Sequence, residues 1–187
     1  MGATDVCPFV PVSGVTMADC VELAKTLGER VGALGIPVYL YEEAASKPER
    51  KNLASVRAGE YEALPEKLKD PEWKPDFGPA KFNPKAGATV IGARDFLVAY
   101  NINLNTRDRR LANQIAGVLR ETGRPRRDDA GVIIRDADGV ALREPGMFTE
   151  LRGVGWYIEE YGRAQLSFNL TNYKVTSLHQ VFDAARR

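Results

Sequence analysis

With 187 residues, 44% of them hydrophobic and 27% charged, the chain has enough apolar material to bury a core and to build one domain or two small ones. Its 26 basic and 25 acidic residues leave a formal net charge of +1, so no global field gathers nucleic acid or holds an anionic membrane. Any anionic ligand must be caught locally.

The apolar runs at 38–41 and 96–100 fall far short of the roughly 20 residues of a membrane-spanning helix, which removes a transmembrane role from the expectations. Cys7 and Cys20 make neither a CxxC pair nor a disulfide framework, and a cytoplasmic setting is expected. The chain enters a strand-like segment, Val6 to Val12, without a polar lead-in, so it is expected to begin inside a domain.

Thr16 is placed to cap a helix with Asp19 at its third position. Val21, Ala24, Leu27, Val31 and Leu34 recur at three-to-four spacing and Gly35 closes the run, predicting an amphipathic helix over 16–35. Ile36 to Tyr41 reads as a buried strand, completing a strand, helix, strand layer. A short surface helix is expected within Arg57 to Lys69, with Pro65 tolerable only near its start.

From Asp70 to Thr89 the pattern changes, as Pro71, Pro75, Pro79 and Pro84 alternate with Trp73, Phe77 and Phe82. A loop beyond about 12–15 residues in a compact domain is functional or disordered, and this density of aromatics and prolines argues for order. It is the best site candidate in the chain. Lys81 and Lys85 flank Phe82, offering ammonium groups for carboxylates and a ring face for a flat heterocycle. The other reading is that Trp73, Phe77 and Phe82 pin the loop to the sheet while the lysines stay solvated.

A second unit starts near Gly92. Arg94 to Leu104 predicts a strand, followed by a helix capped by Thr106 that buries Leu111, Ile115, Val118 and Leu119 and ends at Gly123 and Pro125. Residues 131–143 read as a β-hairpin arm turning at Asp138 and Gly139. Leu151 to Tyr161 and Ala164 to Tyr173 read as strands joined at Gly162 and Arg163, and Thr176 is expected to cap a last helix. The order β, α, arm, β, β, α lacks one closing strand of the antiparallel βαββαβ ferredoxin-like unit.

Nucleophilic catalysis has little support. The single histidine, His179, sits in a helix beside core positions with no catalytic serine or cysteine context, and a packing or surface role is expected. No zinc or calcium ligand pattern occurs, and no metal site is expected. The glycines at 32–35 and 87–92 read as caps and turns rather than a phosphate loop. The basic clusters at 107–110 and 124–127 are interleaved with or followed by acids and read as solvated faces.

Several long blocks carry a family resemblance. Asp5 to Val15, Pro37 to Ala45, Arg57 to Leu64, the Asp76 to Pro79 turn, Val98 to Leu104, Gly153 to Tyr161 and Ala164 to Tyr173 occur in the order found in the formiminotransferase family, which this chain resembles over almost its whole length. The resemblance implies an α+β fold of two ferredoxin-like subdomains. Residues 1–93 would be the later part of the first, without its N-terminal elements, and 94–187 the second, without its last strand.

It also implies transfer of a formimino group from N-formimino-L-glutamate to tetrahydrofolate, the acceptor substrate, giving 5-formiminotetrahydrofolate and glutamate in histidine degradation, by a homodimer. The matching folate segment is Gly78, Pro79, Ala80, Lys81, Phe82, Asn83, Pro84, Lys85, Ala86 and Gly87. The family's general acid and base is a histidine lying just upstream of the residues that match Met1. No residue here is therefore expected to be catalytic, and this chain alone is expected to be inactive. The alternative is a non-catalytic folate-binding or self-associating module.

Overall fold

The computed structural model describes residues 1–186 and divides into two compact units, Met1–Asp95 and Phe96–Arg187. In the first, β1 (Val6–Phe9), β2 (Val38–Glu42) and β3 (Thr89–Ala93) form a sheet in the order β1-β3-β2. Helix α1 (Met17–Ala33) covers one face. Its start follows the sequence closely. Thr16 accepts a hydrogen bond from the Asp19 amide while the Asp19 carboxylate accepts from the Thr16 amide, satisfying two otherwise unpaired donors. Gly35 takes a left-handed φ of 79°, which ends the helix as expected.

The buried stripe of α1 is Cys20, Ala24, Gly28 and Gly32, with Val21, Leu27 and Val31 half-buried beside it. Leu34, expected in that stripe, is 75% exposed because it is the C-cap and has left the helical face. The opposite face of the sheet carries Tyr39, Tyr41 and Val90, covered by α2 (Leu53–Arg57), α3 (Leu64–Lys67) and the proline-rich loop. The expected single helix within 57–69 is thus two short ones, and Pro65 sits in the first turn of α3, where its missing N–H costs nothing.

All three strands run parallel, so this unit does not have the antiparallel ferredoxin-like sheet expected. The cause is the segment between β2 and β3. It crosses back over one face and re-enters the sheet centrally in the same direction, as a crossover connection does.

In the second unit β4 (Val98–Asn103), β7 (Leu151–Ile158) and β8 (Arg163–Leu170) form an antiparallel sheet in the order β4-β8-β7. Helices α4 (Arg109–Leu119) and α5 (Leu178–Ala185) contribute Ala112, Ala116, Leu119 and Val181 to its core with Leu151, Leu166, Phe168 and Leu170. The cap of α4 is Asp108, which accepts from the Arg110 amide at 2.7 Å, not Thr106. Thr106 instead accepts from the Asp108 amide, one step upstream.

The buried face of α4 agrees in part with the expected one. Leu119 is buried and Ile115 half-buried, but Leu111 and Val118 are exposed, and their places in the contact are taken by Ala112, Ala116 and Gly117. The reason lies in β7: a Cβ on Gly155 would collide with the α4 backbone at Ala112 and Asn113, so helix and strand approach more closely than bulky side chains allow. The cap of α5 is Ser177, in a capping box with Gln180. Thr176, expected there, is buried and donates its hydroxyl to Thr149 O at 2.6 Å.

The arm between α4 and β7 is more regular than a hairpin. Its base pairs β5 (Arg124–Pro125) with β6 (Arg143–Glu144). Beyond it the same turn occurs twice, over Arg127–Val132 and Arg135–Val140. In each, an aspartate (Asp128, Asp136) accepts from two amides further on, and the arginine before it donates to a glycine carbonyl (Gly131, Gly139). Residues 126, 134 and 142 then close a backbone ring, Arg126 N to Leu142 O, Leu142 N to Ile134 O and Ile134 N to Arg126 O, at 2.8–3.0 Å.

Candidate folate-binding loop

The segment leading into Gly78–Gly87 is held by a buried ion pair. Arg50, 2% exposed, donates to Asp76 Oδ2 at 2.8 Å and to the carbonyls of Glu72 and Lys74 at 3.1 and 2.8 Å. Its guanidinium lies 5.2 Å from the Tyr39 ring centre and 5.8 Å from that of Trp73. Asp76 also accepts from the Leu40 amide at 2.7 Å and from the Ser46 hydroxyl. Both charges are therefore compensated, as burial requires.

From this root the chain turns onto α1. Gly28 and Gly32 form a notch that receives Phe77; a Cβ on Gly28 would lie 2.8 Å from the Phe77 ring, and one on Gly32 would lie 2.6 Å from the Gly78 amide. Gly78 has φ 79° with the Ile36 carbonyl against it, so both its backbone angle and the space around it exclude a side chain. Pro79, Ala80 and Lys81 are exposed.

Phe82 returns to the body and packs against Tyr61, ring centres 5.4 Å apart and tilted by 60°. Asn83 folds the next turn: its side-chain oxygen accepts from the Lys85 and Ala86 amides at 3.1 and 3.0 Å, and its carbonyl accepts from Gly87 N at 2.7 Å. The Tyr61 hydroxyl donates to Pro84 O at 2.9 Å. The loop closes where Gly87, φ 65°, bridges to Gly2.

All ten predicted residues thus lie on one ordered loop. The aromatics pin it to the body while Lys81 and Lys85 stay exposed, as the second of the two sequence readings expects. Neither lysine lies in an ion pair among the described residues. Sequence reasoning missed Arg50, Tyr61 and Asp76 as supports. Arg50 lies in a polar run that reads as surface, and only the proline-aromatic spacing marked where its partner would be. His179 is exposed, with Ser177 Oγ 3.3 Å from its Nε2.

The root has an alkaline signature. Burial pushes the Tyr39 hydroxyl up to about 12, opposed by the Arg50 charge and reinforced by Asp76, and the hydroxyl donates to Trp73 O at 2.7 Å. A hydroxyl whose value is raised on folding stabilises the protein fully below its unfolded value near 10 and loses that contribution as pH rises through about 12. Stability measured by urea titration is expected to fall between pH 10 and 12, less steeply in Tyr39→Phe; equal slopes would refute this assignment. Tyr41, also raised by burial, retains part of the effect in the variant.

Comparison with known proteins places this geometry in a family. Residues 1–94 match the model of the N-terminal subdomain of the formiminotransferase domain, and 99–187 match that of the formiminotransferase domain. The chain is 52% identical to a mouse formimidoyltransferase-cyclodeaminase across its whole length, covering 32% of that protein. It is 40% identical to a glutamate formimidoyltransferase of Streptococcus pyogenes serotype M1, covering 55% of it, and 42% identical to one of Thermoplasma acidophilum, covering 54%. It therefore spans about a third to about half the length of these relatives. With family models matching on both sides of residue 95, the chain belongs to the formiminotransferase family.

Proposed function

We propose that this chain carries the folate site of a glutamate formimidoyltransferase, which passes a formimino group from N-formimino-L-glutamate to tetrahydrofolate and yields 5-formiminotetrahydrofolate and glutamate. The observation that carries the reading is the loop Gly78–Gly87: it is rooted by the buried Arg50–Asp76 pair, yet presents two exposed ammonium groups, without an ion-pair partner among the described residues, on lysines that flank Phe82 in sequence. The ammonium groups suit the carboxylates of a folate, and the Phe82 and Tyr61 rings suit its flat heterocycle. The acid-base role of the transfer is assigned to none of these residues. The reading places residues 1–93 and 94–187 in two subdomains of a cytoplasmic homodimer, without a metal. The second is ferredoxin-like, which the β4-β8-β7 order and the α4 crossover support.

Calorimetric titration with a reduced-folate analogue tests the site. Lys81→Ala and Lys85→Ala are each expected to weaken binding about tenfold or more, on the order of 1.5–3 kcal/mol per charge-assisted contact. Their unfolding midpoints should match the parent, because both side chains are exposed. Parent protein that does not bind, or a double variant that binds as tightly, would overturn the assignment.

A further inference from the structure

The second unit contains a cavity of about 670 Å³ beside α4, walled by Asn113, Gln114 and Gly117 of the helix and Arg120 at its C-cap, and by Arg124, Pro125, Arg127 and Glu144 from the base of the arm. That volume lies in the range of small-molecule sites. Its charge is one-sided: three guanidiniums face one carboxylate, and Glu144 is already engaged by Arg124 Nε at 2.9 Å. Arg120 and Arg127 have no carboxylate within ion-pair distance among the described residues, and neither does Arg143 behind them.

Arg120 and Arg127 are fixed without being neutralised. Arg120 donates Nε to Gly123 O and one terminal nitrogen to Gly153 O, both at 3.0 Å. Arg143 donates to the same Gly123 carbonyl at 2.9 Å, so two like charges converge on one neutral oxygen. Burial, then the Arg143 charge, hold Arg120 below the ordinary guanidinium range. Arg127 is oriented through a 2.6 Å bond to Gly131 O. Each of the three lining arginines keeps at least one terminal nitrogen with no partner among the described residues. Asn113 is consumed by the Gly155 backbone, whereas the Gln114 amide is free to bind. The arm base packs directly against the helix here, with Arg124 Cβ 3.4 Å from where a Cβ on Gly117 would lie.

We infer that this cavity is a binding site for a small anion carrying two or more negative charges, held by the forked donors of Arg120, Arg124 and Arg127. Planar guanidiniums match the paired oxygens of phosphate and carboxylate groups, so both a phosphate ester and a di- or tricarboxylate have the required chemistry. The site lies wholly within the second unit and does not depend on the folate loop.

The test is amide-resolved NMR titration of the chain with inorganic pyrophosphate and, separately, citrate, at low salt. Binding of at least one tighter than about 1 mM is expected, with shifts at Gln114, Gly117, Arg120 and Arg124. Pyrophosphate alone identifies a phosphate ligand, citrate alone a carboxylate ligand, and both an affinity set by charge; each supports the site. Arg127→Gln should lose about tenfold or more in affinity and Arg127→Lys less, because lysine restores charge without the fork. Arg124→Gln, at an exposed pair, gives a second reading should the Arg127 variants loosen the arm. No binding, shifts confined to 78–87, or unchanged affinity in both glutamine variants would overturn the inference.

Discussion

Arg50→Ala is expected to cost about 3–5 kcal/mol of folding stability, the range for removing one partner of a buried pair. The substitution leaves the Asp76 carboxylate, 10% exposed, without its cation. It also removes the donors to the Glu72 and Lys74 carbonyls and the cation beside Tyr39 and Trp73. Asp76→Asn should cost about 3 kcal/mol, at the lower end of the same range, because it leaves Arg50 buried without its anion while an amide oxygen can still accept from the Leu40 amide. Urea denaturation of both variants checks this. An Arg50→Ala loss below about 1 kcal/mol would show that the pair is not what roots the loop. A reduced-folate titration on Arg50→Ala should show weakened binding as well, since the loop begins two residues after Asp76.

Gly155→Ala is expected to be nearly as damaging, about 3 kcal/mol, although it adds one methyl group. The new Cβ overlaps backbone atoms of α4, which cannot rotate away as a side chain would, so the helix must lift from β7. Lifting breaks the two bonds between Asn113 and Gly155, now 2.7 and 3.2 Å, each contributing on the order of 1 kcal/mol. Gly162→Ala makes a useful comparison: it has φ 58° but open space around it, and should cost about 1 kcal/mol through backbone strain alone. Thermal unfolding ranks the two, and equal midpoints would refute the close-approach argument.

Legibility in the sequence followed the range of the interaction responsible. The two ends of α1 were readable because Thr16 and Asp19 at the start, and Gly35 at the close, each act within about a turn. The candidate loop was readable because prolines and aromatics mark an ordered irregular segment by themselves. The face of α4 was read correctly at Ile115 and Leu119 but not at Leu111 and Val118, because its closest contact depends on Gly155, more than thirty residues away, and spacing alone ranks Leu111 above Ala112. The parallel sense of the first sheet and the Arg50–Asp76 pair likewise depend on long-range placement. The caps of α4 and α5 were assigned two and one residues too early, to Thr106 and Thr176, because more than one nearby residue can cap each helix.

The doubled turn of the arm makes its length adjustable in fixed increments. Arg127 and Arg135 are eight residues apart and open identical hydrogen-bonded turns. Excising 128–135 as one block would join Arg127 to Asp136 and recreate the second turn unchanged, with Arg126 and Leu142 already paired across the cut. A cut one residue shorter would put Arg135 where the turn needs its aspartate, and a cut one residue longer would put Ala137 there. In evolutionary terms the arm can grow or shrink by whole turns while its base and the walls beside α4 keep their register.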